Sequence, residues 1–439
     1  MYVPGGLSGS WRRVCLHAHR RGARHTGEAD SSKWRSLHWR ATAWRTSPPR
    51  VALLTRLNGM ANVSIPFNVP FRTGTEDRYL QQVLQGRGYG GDGPFARRCQ
   101  TFLQEYLQVP RAYLTTSCTA ALEMAAMLLQ LEPGDEVLVP SYTFVATASA
   151  FMRSGARPVF VEVDPDTMMM DPVDAERRVT ARTRAIVPIH YAGIACEIDA
   201  LAALAARHGL TLIEDAAQGY DAKIDSRWLG SIAPMATFSF HETKNLHCGL
   251  GGALIVNDER FVDMADAIWQ RGTDRTRMLR GMVDKYTWIA VGSSFYPTEL
   301  QAAFLLDQLE HTRRSTEERR VSWQTYRDGL QSLAQAGRLS MQRIHGERSN
   351  NYHCFYLLLP SNAERESLRE YLQRQGISAY THYVPLHSSP MGLQLGYRAE
   401  DLPRTEDLAN RLLRLPMWAG LPQEQARHVV DQIHAWAAL

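Results

Sequence analysis

The chain has 439 residues, of which 44% are hydrophobic and 21% charged, with a formal net charge of +4. That length and balance exclude a disordered or low-complexity protein and predict a globular one with a large and a smaller domain. No stretch approaches the roughly 18 consecutive apolar residues of a membrane-spanning helix, and no membrane partner is expected.

The charge is unevenly placed. Residues 1–59 hold eleven of the 49 Lys and Arg against only Glu28 and Asp30, a net of about +9 that leaves about −5 for the remainder. Four of the ten Trp residues lie in the same stretch, with neither helical nor alternating spacing. An arginine-rich, acid-poor leader suits a transit peptide, and basic runs with aromatics suit contact with nucleic acid. The expectation adopted is a translated start longer than the working protein, which begins near Met60 and needs no nucleic acid. Cys15, Cys99, Cys118, Cys196, Cys248 and Cys354 are scattered without CxxC spacing. They read as reduced thiols, not as a disulfide framework or a metal site, and the expected compartment is the cytoplasm.

From residue 64 the chain reads as a packed enzyme. IPFNVPF and GRGYGGDGPFARRC form an entry region whose second loop is glycine-rich, suited to close approach to a ligand or to a plain connection. In TTSCTAALEMAAMLLQL a short strand gives way to Ser117, Cys118 and Thr119 and then to a helix of Ala, Leu and Met. The free N–H groups and positive dipole end of such a helix suit a phosphate, although Ser and Thr also cap helices that bind nothing. The runs EVLVP, PVFVEV, RAIVPIH, LTLIED, ATFSF and ALIVN alternate with helical stretches such as DALAALAARHG. That alternation predicts an α/β fold, a mostly parallel sheet with helices on both faces and its site at the strand C-terminal ends.

Several of those ends carry chemistry. IVPIH ends in His190, a cavity residue or a structural histidine. TLIED ends in Asp215, which can keep a pyridine nitrogen protonated or cap a helix. FSFHETKN sets Lys244 just past an apolar strand in a chain with only four lysines, five residues after the hydroxyl of Ser239. An arginine there could not form an imine, whereas a lysine of lowered pKa can. Taken alone, Lys244 would be a surface lysine at a strand end; with a phosphate cradle and Asp215 before it, the set fits pyridoxal 5'-phosphate. Farther on, Thr298–Arg314 reads as one amphipathic helix leading into the second domain. WQTYRDGLQSLAQ, ESLREYLQRQG and QARHVVDQIHAWA read as helices and YHCFYLLL as a strand. HYVPLHSSP supplies Tyr383 and His387, which fit a substrate wall or a structural role.

These motifs, in this order, resemble the fold type I aminotransferases, specifically the nucleotide-sugar aminotransferases of the DegT/DnrJ/StrS type, over about residues 64–439. The likeness rests on SCTAALEMA, PGDEVLVPSYTFVATASAF, PVFVEVDPDT, IVPIHYAG, EDAAQGY, FSFHETKN, GGALIVND, TELQAA and HYVPLHSSP. SCTAALEMA, HYAGIACEID, FSFHETKN and VDKYTW are most similar to members that make dTDP-4-amino-4,6-dideoxygalactose. The resemblance implies a fold type I transferase with a large cofactor domain over 60–305 and a small α+β domain over 306–439. It implies Lys244 as Schiff-base lysine and Asp215 as partner of the pyridine nitrogen. Cys118 and Thr119 would hold the phosphate with help from Ser239, Phe144 and Ala217 would cover the two ring faces, and Gln218 would lie near the ring hydroxyl. His190, Tyr383 and His387 would stand near the sugar.

Two departures stand out. The family's Ser-Gly-Thr is Ser117-Cys118-Thr119, so the backbone approach that glycine allows must pass a thiol. An Asn that reaches the neighbouring subunit's phosphate is replaced by Ser294 in GSSFYP. The implied partners are glutamate, a dTDP-linked keto sugar and a second copy of the chain in a homodimer with sites at the interface. The implied setting is surface polysaccharide biosynthesis. The alternatives are another keto sugar nucleotide (3-keto or GDP-linked), a pyridoxamine-dependent dehydratase, which would carry histidine in place of Lys244, and a non-catalytic ligand sensor.

Overall fold

The computed structural model describes residues 64–439, and the expectations for the basic leader lie outside the described residues. The apolar runs form β1 (Arg111–Thr115), β2 (Glu136–Pro140), β3 (Arg157–Val161), β4 (Thr183–Ile186) and β5 (Thr211–Asp215). A small hairpin follows, β6 (Lys223–Ile224) with β7 (Arg227–Trp228), then β8 (Met235–Ser239) and β9 (Gly252–Val256). Seven of these strands make one sheet in the order β1-β9-β8-β5-β4-β2-β3. β3, β2, β4, β5 and β8 run parallel, and β9 is antiparallel to both β1 and β8. The ALIVN run looks like its parallel neighbours in sequence. Only residues 240–251 separate β8 from β9, and they contain no helix, so there is no crossover to bring the chain back in the parallel sense.

The helices before residue 311 are α1 (Glu76–Gln85), α2 (Pro94–Leu107), α3 (Cys118–Leu128), α4 (Val145–Arg153), α5 (Pro172–Arg177), α6 (Ile198–His208), α7 (Val262–Trp269), α8 (Arg275–Leu279) and α9 (Glu299–Glu310). They cover both faces of the sheet because successive strand residues point opposite ways. Val137 and Val139 pack with Leu122 of α3 and Phe151 of α4. Leu138 packs with Leu201 and Leu204 of α6 on the other face. All of these are essentially fully buried, each contributing about 1.5–3 kcal/mol relative to exposure.

Thr298 starts α9 with a capping box: its hydroxyl accepts from Gln301 N, and Gln301 Oε1 accepts from Thr298 N at 3.1 Å. The predicted helix from Thr298 to Arg314 is in fact two. At His311 the backbone N–H turns to Gln308 O, the ring Nδ1 donates to Asp307 O at 2.8 Å, and α10 (Thr312–Gly329) begins afresh. Glu299 also explains the glycine-rich entry loop. Its carboxylate accepts from Gly93 N at 3.0 Å, Phe95 N at 2.8 Å and Ala96 N at 3.1 Å, capping α2. A Cβ on Gly93 would lie 2.4 Å from Glu299 Cδ. The close approach this loop makes is to a carboxylate of its own chain.

Beyond α10 come α11 (Gln331–Gln335), β10 (Ser340–Met341), β11 (Phe355–Leu358), α12 (Asn362–Arg374), α13 (Pro390–Gln394), α14 (Pro403–Arg411), β12 (Leu412–Leu415) and α15 (Gln423–Ala437). The strands form a three-stranded antiparallel sheet, β10-β11-β12. One face packs Phe355, Leu357, Leu413 and Leu415 against Leu368 of α12 and Val429 and Ile433 of α15. From the other face Tyr356, Leu358 and Leu412 join the core that holds Leu138 and α6. No described helix is long and apolar enough to cross a membrane.

Candidate active site

A cavity of about 650 Å³ opens at the C-terminal ends of β2, β5 and β8, with residues of the small sheet on its far side. Its floor is the end of β5. Asp215 is buried and accepts hydrogen bonds from Thr147 Oγ1 at 2.7 Å and Ala217 N at 3.2 Å. Burial pushes its carboxyl above the usual carboxylate range, while the Thr147 hydroxyl, the Ala217 N–H and the nearby Lys244 charge pull it back. Lys244 also lines the cavity, and among the described residues its amine has no hydrogen-bond or ion-pair partner. Burial lowers its pKa below the ordinary lysine value, against the pull of Asp215 and with a further push down from Arg414. A carboxyl group and an amine whose charged forms are both disfavoured by burial thus face one space.

The wall on the α3 side begins at Ser117, whose hydroxyl accepts from Ala120 N at 3.1 Å as the N-cap, a bond worth about 1 kcal/mol. Cys118 and Thr119 are the first helical residues, both against the cavity. Burial pushes the Cys118 thiol well up, so it stays protonated beside the helix end. The close backbone approach is made from β9: a Cβ on Gly252 would lie 2.5 Å from Cys118 N. Ser239 ends β8 at the same wall. Phe144, 57% exposed, stands at the mouth beside Tyr383, their ring centroids 6.4 Å apart. Ala217 lines the cavity as well. An acidic floor, an unpartnered amine and a helix N-terminus rich in N–H and hydroxyl donors match the cationic ring nitrogen, aldehyde and phosphate of pyridoxal phosphate. The residues present fit that group.

Below the floor, His190 touches the cavity but is held on both ring nitrogens. Cys196 N donates to its Nδ1 at 3.2 Å, so Nε2 carries the proton and donates to Glu214 at 2.9 Å. Glu214, fully buried, also accepts from Gly230, Ile232 and Ala233 N–H at 2.7–2.9 Å. The histidine is part of the floor's support. Gln218 is bracketed too: its Oε1 accepts from Ala192 N at 2.8 Å and its Nε2 donates to Tyr383 Oη at 3.0 Å.

Two of the residues read from sequence are not brought to the cavity. His387 is fully buried, paired through Nδ1 with Ser141 Oγ at 2.6 Å and through Nε2 with Ala399 O at 3.3 Å. It braces the turn after β2 and faces no ligand space. Ser294 is exposed, in a backbone bridge with Gln270, and lies outside this cavity.

Conversely, sequence reasoning missed several residues that line this cavity or stand directly behind it. Asn245, next to Lys244, accepts from the ring Nδ1 of His353 at 2.9 Å, donates to Asn351 O at 2.7 Å, and has its carbonyl held by Ser315 Oγ at 2.7 Å. Asn351 in turn donates to the carbonyls of Gln218 and Tyr220, both at 2.7 Å. His382, stacked on Tyr383 with centroids 3.7 Å apart, Phe67 and Arg414 complete the wall. The Asn of TKN and the lone arginine in LLRL were the available signals.

Comparison with known proteins agrees with this geometry. The DegT/DnrJ/EryC1/StrS aminotransferase family matches residues 72–434. Among curated relatives, a dTDP-3-amino-3,4,6-trideoxy-alpha-D-glucose transaminase of Streptomyces venezuelae is 34% identical over 79% of this chain and 88% of its own length. A pleiotropic regulatory protein of Geobacillus stearothermophilus is 34% identical over 78% of this chain and 89% of its own. Among solved structures, S. venezuelae DesV, crystallised in complex with a ketimine intermediate, superposes with a TM-score of 0.78 at 32% identity, over 86% of this chain and 99% of that one. With a match that spans both sheets and relatives above 30% identity, the chain belongs to the DegT/DnrJ/EryC1/StrS aminotransferase family, as a fold type I, pyridoxal-phosphate-dependent enzyme of the sugar transaminase class.

Proposed function

We propose that this enzyme moves the amino group of glutamate to the 4-keto carbon of dTDP-4-keto-6-deoxyglucose, giving dTDP-4-amino-4,6-dideoxygalactose. The observation that carries the transamination is the unpartnered Lys244 amine facing the same cavity as the buried Asp215 carboxylate. The S. venezuelae relative named for a dTDP-linked sugar is 34% identical, against 28% for a GDP-perosamine synthase of Vibrio cholerae, which supports a dTDP-linked acceptor. The choice of C4 over C3 rests on the wording of SCTAALEMA, HYAGIACEID and VDKYTW.

Pyridoxal phosphate, when bound, supplies the electron sink for the carbanion left when a substrate loses its α-proton. Lys244 Nζ, whose pKa is lowered by desolvation, would take that proton from glutamate and, with the keto sugar, would move it the other way. Asp215 keeps the ring nitrogen protonated in both directions. The first N–H groups of α3, with the Thr119 and Ser239 hydroxyls, would hold the phosphate past the Cys118 thiol. Phe144 and Ala217 would cover the ring faces, Gln218 would lie near the ring hydroxyl, and Tyr383 would form the wall against the sugar. A second copy of the chain, receiving Ser294 near its own phosphate, covers the exposed Leu279, Met282, Trp288, Ile289 and Val291, whose apolar surface supports a homodimer.

The test offers glutamate with a panel of keto sugar nucleotides and reads product stereochemistry by NMR. An axial 4-amine on the dTDP sugar is expected. An equatorial 4-amine, a 3-amine or selective use of a GDP-linked sugar overturns the substrate and leaves the transamination standing. Absence of 2-oxoglutarate with every keto sugar overturns the catalytic role in favour of a sensor.

A further inference from the structure

Three loops leave the large sheet around the cavity, after β4, β5 and β8, and one asparagine is bonded to all of them. Asn351 lies in the segment before β11 and is essentially fully buried. Its Nδ2 donates to Gln218 O and to Tyr220 O, both at 2.7 Å, and so holds the turn after β5 that carries Ala217 and Gln218. Its backbone O accepts from Asn245 Nδ2 at 2.7 Å, which holds the loop after β8 one residue from Lys244. Its backbone N donates to Gly193 O at 3.2 Å, in the loop after β4 whose Ala192 N in turn donates to Gln218 Oε1 at 2.8 Å. A Cβ on Gly193 would overlap Asn351 Oδ1, so that loop is shaped to admit the amide.

The far end of this link is fixed by α10. Ser315 Oγ donates to Asn245 O at 2.7 Å, and Arg319 Nη1, one turn on, donates to His353 O at 3.0 Å. Four residues of helix rise about 6 Å, so the lysine loop and the 351–353 segment are kept at a set spacing. His353 closes the ring of bonds: its N donates to Asn351 Oδ1 at 3.0 Å and its ring Nδ1 donates to Asn245 Oδ1 at 2.9 Å. Asn351 does not line the main cavity. It lines a separate hollow of about 10 Å³, shared with Gln218, Asn245 and His353. Lys244 lines both spaces. The hollow is about the size of one water, too small to take up the lysine stem.

We propose that Asn351 is a positioning residue for Lys244. It fixes the lysine loop against the turn that follows Asp215, and it denies the stem room to withdraw from the cavity. The inference rests on the transaminase reading only in taking Lys244 as the group that moves the proton. That transfer needs the amine within hydrogen-bond reach of the reacting carbon, and a displacement of about 1 Å is costly in rate. The sheet itself does not depend on the asparagine. β5 and β8 pair directly from Ile213 with Met235 to Asp215 with Thr237, and only the loops beyond them lose their common reference when the amide is removed.

The test uses full-length protein loaded with pyridoxal phosphate, as wild type, Asn351→Ala and Asn245→Ala, with melting temperature reporting on the fold. Two readings bear on position. One is the pH midpoint of the visible band of the lysine-bound cofactor, which depends on how the lysine lets its imine lie against the ring. The other is single turnover with glutamate alone, read as 2-oxoglutarate formed across a range of glutamate concentrations, which separates rate from affinity and needs no sugar. Asn351→Ala is expected to move the midpoint by about 0.5–1 pH unit. It is expected to slow the reaction about 10- to 100-fold at saturating glutamate, with the half-saturating concentration within about threefold of wild type. Asn245→Ala cuts the same link from the lysine side and is expected to move both readings the same way, and the double variant to be no worse than the poorer single one. An Asn351→Ala that melts lower yet keeps the wild-type midpoint and rate overturns the inference, because the residue then adds stability alone. So does a change confined to glutamate affinity, which would make it a substrate contact. Should Asn351→Ala not fold, Asn245→Ala decides by the same two readings. The midpoint needs only the cofactor and Lys244, so a shifted midpoint in an enzyme that turns over no keto sugar supports the positioning and counts against the proposed acceptor alone.

Discussion

Replacing Glu214 by glutamine keeps the shape of the side chain and removes one acceptor from the deepest part of the active site. Oε1 receives the N–H groups of Ile232 at 2.9 Å and Ala233 at 2.7 Å, and Oε2 receives Gly230 N–H at 2.8 Å and His190 Nε2–H at 2.9 Å. Whichever way the new amide is turned, its NH2 faces two donors, and two buried N–H groups lose their acceptor. His190 cannot compensate, because moving its proton to Nδ1 would set it against Cys196 N–H, 3.2 Å away. At about 1.5–3 kcal/mol for each bond to a charged group, the folded state should lose about 3–6 kcal/mol. Glu214 and Asp215 are consecutive in β5, so affinity for pyridoxal phosphate should fall with stability. Chemical denaturation of wild type and Glu214→Gln in parallel, followed by circular dichroism and by cofactor titration, measures both. An unmoved midpoint at unchanged slope would refute the accounting and show that the four bonds are replaceable.

Lys244→Ala is expected to fold as wild type and still take up pyridoxal phosphate through the α3 end, without the visible band of a lysine-bound cofactor; an unaltered spectrum would remove the lysine from its role. For Asp215 the sign of the pH effect can be worked out. Burial raises its carboxyl above the ordinary value of 3.8, so the cofactor-free folded state holds a proton that the unfolded chain releases. The stability this group contributes is full below pH 3.8 and is lost as pH rises through the higher folded value. Relative to Asp215→Asn, cofactor-free wild type should therefore lose stability as pH rises from 4 toward neutrality, and bound cofactor should flatten the difference. A difference that grows with pH in the cofactor-free proteins would contradict the assignment, as would near-wild-type turnover by loaded Asp215→Asn.

What could be read from sequence was local. A strand that stops at an acid, a strand followed at once by a lysine, and a helix that opens on Ser-Cys-Thr each announce a position at one edge of the sheet, because the period of the pattern and the place of the charge lie within a few residues. The direction of β9 was not readable, since a buried strand has the same composition whichever way it runs. Nor was the break at His311, which depends on a ring reaching back one turn to Asp307 O. Asn351 and His353 hold Asn245 of the Lys244 loop from more than 100 residues away, and nothing in their own segments says what they will meet. His387 was misplaced for a related reason. It lies only four residues after Tyr383, but the chain turns into the fold between them and spends the imidazole on Ser141.

The antiparallel return of β9 bears on where this enzyme can be remodelled. The loop carrying Lys244 is closed at its base by the pairing of Ser239 with Gly252, and within it Phe240 N bonds Gly251 O, Glu242 N bonds Gly249 O and Cys248 N bonds Phe240 O. A residue added anywhere between 240 and 251 would shift one side of that ladder against the other and carry the lysine off the cavity. The segments around Phe144 and Tyr383 face the same space without such rungs on both sides. Insertions and loop exchanges meant to admit a different sugar belong there, and the lysine loop should keep its length.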